Sequence, residues 1–191
     1  MKTILTFVGG GERDPIILQT ALAAAAPLSA HLECLHARVP ASQAARHANL
    51  GFASGDALTS AFDRLGTDAD TFSRLAEENV RAFCAKAGIE MRDEPTDAEG
   101  VTARFVTEES NELERLSAHA SRRDLVVIGR ARQKQGLAPD TLEHLVRTCG
   151  RPVLAAATEA PQTLTGTIMV CWKDPGSAAL VTSAAPLLAK A

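Results

Sequence analysis

The chain has 191 residues, 46% of them hydrophobic and 23% charged, with a formal net charge of -3 at pH 7. This is the make-up of an ordinary globular protein of about one domain with a little to spare, and it excludes extended disorder. It has neither the clustered basic face of a nucleic-acid binder nor an apolar run approaching the roughly 18 residues of a membrane span, so neither nucleic acid nor membrane is an expected partner.

Met1-Lys2 leads directly into a strand-like segment, with no apolar h-region and no small-residue cleavage site of a signal peptide. The cytoplasm is therefore the expected compartment. Cys34, Cys84, Cys149 and Cys171 are widely separated, form no C-x-x-C pair and have no histidine at zinc-finger spacing. They read as small buried hydrophobes.

Ile4-Leu5-Thr6-Phe7-Val8 is a short β-rich run stopped by Gly9-Gly10-Gly11, which predicts a buried strand entering a tight loop. Asp14-Pro15 supplies an N-cap followed by proline at the first helical position, and Ile17, Leu18, Ala21, Leu22 and Ala25 continue at helical spacing. His31 to Ala37 is the next strand, with Pro40 at its exit. Residues 41 to 67, with scattered Ala, Gly and Ser, are expected to be irregular or briefly helical. A helix is expected from Asp68, carrying Phe72, Leu75, Ala76, Val80, Phe83, Cys84 and Ala87 on one stripe and closed by Gly88.

Asp93 to Gly100 is polar, contains Pro95, and predicts a loop; Val101 to Val106 alternates as a third strand. Ser110 caps a helix carrying Leu113, Leu116 and Ala120. Leu125-Val126-Val127-Ile128 is an unbroken apolar run, as a central parallel strand covered on both faces requires, and Gly129 ends it. Leu142, Leu145, Val146 and Cys149 form another helical stripe closed by Gly150, and Pro152 to Ala156 is a fifth strand. Strict β-α alternation implies an α/β fold, a doubly wound five-stranded parallel sheet with helices on both faces. In such sheets ligands bind beyond the carboxyl ends of the strands at the topological switch, which places the Gly9 and Gly129 loops side by side.

The end of the chain repeats its beginning. Thr167-Ile168-Met169-Val170-Cys171-Trp172 is similar to Thr3 to Val8, and it too is followed by Asp-Pro (Asp174-Pro175) and an alanine-rich helix. The expected organisation is a domain over 1–158, a polar linker over 159–166, and over 167–191 a C-terminal β-α extension that reads as an incomplete second copy. Ile168 to Trp172 would expose an apolar edge unless paired, so this strand is expected to dock at a sheet edge of its own domain or across a dimer.

The strand Val126-Val127-Ile128-Gly129, the helix ending Val146-Arg147-Thr148-Cys149 and the run Gly150-Arg151-Pro152-Val153-Leu154 resemble the closing half of a universal stress protein domain. Lys2-Thr3-Ile4-Leu5 and the first helix match its opening half. The tail, with a strand ending in Trp and then Ala185-Pro186-Leu187-Leu188, resembles the tandem bacterial members. The resemblance implies a Rossmann-like sheet and a homodimer. Many members bind ATP, through an Asp after the first strand and a G-x-x-G, nine residues, G-[S/T] pattern after the fourth. Glycines there let backbone N–H groups and a helix N-terminus hold the phosphates.

Carried over, that site comprises Val8, Gly9, Gly10, Gly129, Arg130 and Arg132. The pattern is eroded. Gly9 stands where the Asp belongs, Arg132 occupies the second glycine position, and Pro139-Asp140 falls where G-[S/T] belongs. Proline removes a donor, and an Asp at the phosphate end repels an anion. Arg130, Arg132 and Lys134 supply charge in place of glycine geometry, or simply form a solvated basic loop.

Cys34 and His36 are two apart on a strand and share a face, so they read as partly buried strand residues rather than a thiolate pair. Cys149 lies at a helix C-terminus, where the dipole opposes thiolate formation. His31, His47, His119 and His144 have no metal-ligand spacing. No catalytic residue and no metal site is expected. The expected function is that of a universal stress-type protein acting by dimerisation and partner binding without a cofactor. The alternative is an ATP- or adenine-nucleotide-binding member with slow hydrolysis.

Overall fold

Both faces of the first strand are apolar: Ile4 and Val8 point one way, Leu5 and Phe7 the other, and none is more than 2% exposed. Such a strand has to be covered on both sides, and the computed structural model, which describes residues 1–47, 55–96, 99–130, 137–170 and 177–190, places it at the centre of the sheet. In chain order the elements are β1 (Thr3–Val8), α1 (Asp14–Ala25), a 3-10 turn (Ala26–Leu28), β2 (His31–Ala37), α2 (Ala41–His47) and α3 (Asp56–Ala87). There follow β3 (Glu90–Met91), β4 (Thr102–Glu108), α4 (Leu113–Ser121), β5 (Leu125–Gly129), α5 (Thr141–Thr148), β6 (Val153–Ala156) and α6 (Ser177–Leu188).

The strands lie in the order β3-β4-β2-β1-β5-β6, and every pairing is parallel. One apolar cluster joins Ile4, Val8, Leu32, Cys34 and Val127 to α1 and α3 through Ile17, Leu18, Ala76 and Val80. The other joins Leu5, Phe7, Leu35, Val126 and Ile128 to Leu116 of α4 and Leu145 of α5. Alternate strand residues feed alternate clusters, as the two-residue period of a strand dictates. The chain winds from β1 outward through β2 and, after its return, outward again through β5 and β6. The switch point is therefore the cleft between β1 and β5.

The sheet has six strands rather than five. The extra one, β3, pairs Glu90 and Met91 with Thr102 and Ala103 at the edge, and two residues are too few to show a period. Residues 41 to 67 are also more regular than expected. α2 covers 41–47 and α3 begins at Asp56 and runs for 32 residues. Leu58, Phe62 and Leu65 lie at helical spacing and are half-buried, an apolar stripe that the surrounding Gly, Ser and Thr disguise.

In the tail, Thr167 to Val170 form no strand and join no sheet, contrary to expectation; Cys171 and Trp172 lie outside the described residues. Ile168, Met169 and Val170 are 39%, 84% and 53% exposed. Leu164 packs on the α1–α3 side of the core, and α6 forms as the alanine-rich sequence predicts. Among the described residues no helix is long and apolar enough to cross a membrane.

Candidate functional site

The β1–β5 register aligns Thr6 with Val127, and continuing it by two sets Val8 level with Gly129. Val8, Gly9, Gly10, Gly129 and Arg130 therefore converge at the carboxyl end of the sheet, as the sequence predicts. Gly9, Gly10 and Gly129 are buried and Arg130 is exposed. Arg132 and Lys134 lie outside the described residues. Pro139 and Asp140 are exposed just ahead of α5.

The turn leaving β1 is not open. Asp14, expected as the N-cap, is instead the first residue of α1, with Arg13 in the cap position. Its carboxylate turns back into the loop, where Gly9 N–H donates to Oδ1 at 2.9 Å and Gly10 N–H donates to Oδ2 at 2.8 Å. A third donor, Nδ2 of Asn79 on α3, reaches Oδ2 at 3.2 Å. Asp14 is 1% exposed. A carboxylate this deeply buried is tolerable only because its lone pairs are met by donors.

α3 closes the turn from above. Gly10 has φ +78°, and a Cβ placed on it would stand 2.3 Å from the carbonyl oxygen of Phe72. Only glycine satisfies both the positive φ and that approach. Two residues earlier on α3, Asp70 accepts from Nε and Nη2 of Arg38, at the end of β2, at 3.1 and 2.7 Å, while Arg38 Nη1 donates to Glu109 at 2.6 Å. Beside the turn, His36 Nδ1–H donates to the Val8 carbonyl at 3.1 Å. Burial lowers the His36 pKa, against the opposing pull of that bond and of Asp14, and favours the neutral imidazole. Arg13 Nη2 donates to the Ala157 carbonyl at 3.1 Å, tying the loop to the end of β6.

Asp14, His36, Phe72 and Asn79 define the site as much as its glycines do. Asp14 has a sequence signal, an acid three residues beyond a glycine run, but that signal equally describes a helix cap. Phe72 acts through its backbone and Asn79 from 65 positions away, so neither has a local signature.

Among the described residues the cysteines are all buried. Burial pushes the Cys34 and Cys84 thiols up and keeps them protonated, and Cys149 is also buried. Among the described residues, no three His, Cys, Asp or Glu side chains gather to hold a metal. Away from the crevice, on the α4–α5 face, a second carboxylate is buried. Glu33, 1% exposed, accepts from Arg104 and Arg123, and its neighbour His31 bonds Thr102 Oγ1 through Nδ1 at 2.8 Å.

The fold is similar to that of known structures. The universal stress protein UspA from Lactobacillus plantarum matches with a TM-score of 0.51 and 16% identity, over 82% of this chain and 97% of that one. The chain has the universal stress protein fold. A family member from Burkholderia pseudomallei matches at 21% identity and TM-score 0.45, over 82% and 96% of the two chains. A universal stress protein in complex with cAMP matches at 18% identity and 0.44, over 83% and 98%. No family model matches the sequence, and no curated protein matches it. At these identities the likeness is one of architecture, and within the universal stress fold the Asp14-filled turn is a feature read from this chain's own residues.

Proposed function

We propose that this chain is a universal stress-type protein that works by dimerisation and partner binding, with a switch-point crevice that does not take nucleotide. The observation that carries this is the occupancy of the Gly9 and Gly10 amides by Asp14. Those amides line the β1 side of the crevice, where the resemblance places the Asp that would face a nucleotide, and each already serves a buried carboxylate. The Phe72 carbonyl over Gly10 acts in the same direction, as does the Pro139-Asp140 pair that stands where the resemblance expects G-[S/T]. An added anion at Gly9 and Gly10 would meet the Asp14 carboxylate and two amides that already donate to it. The exposed Ile168, Met169 and Val170 support association with a second chain, since such a strip favours burial.

Calorimetry with ATP and magnesium tests the nucleotide half of this reading. No saturable heat is expected at micromolar concentrations, whereas a low-micromolar isotherm would establish the nucleotide-binding alternative. The ratio of absorbance at 260 and 280 nm of purified protein is an independent check. With one Trp and no Tyr, even a fraction of co-purified nucleotide dominates the spectrum.

A further inference from the structure

We infer that the Gly9–Gly10 turn is an oxyanion receptor and that Asp14 is its tethered ligand, so that the crevice is held in an internally liganded form. This rests on the reading of the crevice as closed and names the group that closes it. Two consecutive amides direct their protons to the two oxygens of one carboxylate, at 2.9 and 2.8 Å, and the positive φ of Gly10 is the kind of turn that brings successive N–H groups to one side. Asn79 Nδ2 completes a three-donor cradle. The same donor set, in a cavity of the same size, would bind a free carboxylate.

Asp14 wins because it is attached. It lies five residues from Gly9 and four from Gly10, and a group held in place within the same chain has an effective molarity that a free anion at millimolar level does not match. The Asp14 carboxyl group sets the size of the site. Its two oxygens meet the three donors, so the emptied cradle matches a planar monocarboxylate rather than tetrahedral phosphate or sulfate. The ligand class is a small carboxylate such as formate or acetate.

The test is chemical rescue. Asp14→Ala opens the cradle and is expected to melt about 5–10 °C below the parent, as loss of a multiply hydrogen-bonded buried acceptor does. Sodium formate, titrated against sodium chloride at equal ionic strength, is expected to recover at least about half of that loss by binding the emptied site. The amide resonances of Gly9 and Gly10 should move with formate, and phosphate should have no comparable effect. Asp14→Asn fills the same space with a carboxamide and should show no rescue. Should Asp14→Ala fail to fold alone, folding induced by formate but not by chloride gives the same support. Equal formate effects on the parent and both variants, or none on Asp14→Ala, would overturn the inference. Either result would leave the calorimetric test with ATP on the parent protein to stand or fall separately.

Discussion

At Gly10 two costs of adding a side chain coincide. Its φ of +78° disfavours any side chain, and its Cβ position collides with a backbone oxygen that cannot rotate away. Gly88 has a similar φ of +68° but open space around it. Gly88→Ala should therefore cost about 1–2 kcal/mol from conformation alone, whereas Gly10→Ala adds displacement of α3 and should cost about 2–4 kcal/mol, or roughly 5–15 °C in Tm. Equal losses in thermal melts would show that Phe72 does not press on the turn. The buried imidazoles set a pH dependence. Burial lowers the pKa of both His31 and His36 from 6.5, with Arg104 and Arg123 adding to the effect at His31. The unfolded chain then binds protons that the folded one resists, so stability should be full above pH 6.5 and decline below it. Replacing both with Gln should flatten the Tm profile between pH 6.5 and 5; an unchanged slope would place the proton uptake elsewhere. Glu33 adds a later step. Burial alone would raise its pKa, but the bonds from Arg123 and Arg104 outweigh it and hold the carboxyl below 4.5, so its contribution is lost only on further acidification.

Among the elements, α3 shows how a long helix divides its attachments. Its contact with Arg38 through Asp70 is solvent-exposed, Asp70 being 70% accessible, and exposed ion pairs contribute about 0–1 kcal/mol. Its contact with Asp14 through Asn79 serves a buried charge, where a lost donor costs about 1–3 kcal/mol. Asp70→Ala should barely move the urea midpoint and Asn79→Ala should lower it clearly; the reverse order would mean that the exposed end holds the helix. Strands such as Leu125 to Ile128 were legible in sequence because burial on both faces leaves an unbroken apolar run, and Gly88 and Gly150 were legible because only a positive φ calls for glycine there. α3 before Asp68 was not, because its stripe is only half-buried and carries few large residues. The Asp14 cradle was not legible either, because Asp-Pro at a helix start has the same sequence whether the carboxylate caps the helix or turns back onto the preceding glycines. The tail is the element least settled by its own packing. Ending the chain at Thr158 should lower Tm or shift the mass in light scattering towards the monomer if Ile168 to Val170 are covered by a second chain. Unchanged melting and mass would mark the segment as dispensable.

On the scale of the whole molecule, the sheet is built around β1, the strand that precedes both of its partners in the chain. β1 finds β2 about 28 residues on but meets β5 only 121 residues later, Ile4 pairing with Leu125. Parallel pairing over such separations makes for slow folding, because loop closure precedes any reward from contact. A ribosome adding roughly 5–20 residues per second would complete β5 about 6–24 s after β1. Throughout that interval Leu5 and Phe7, which end fully buried, have one lateral edge of their strand unpaired and one face without its helices. The nascent chain is thus a substrate for any chaperone that reads apolar strands, and its most vulnerable segment is the strand made well before its second partner.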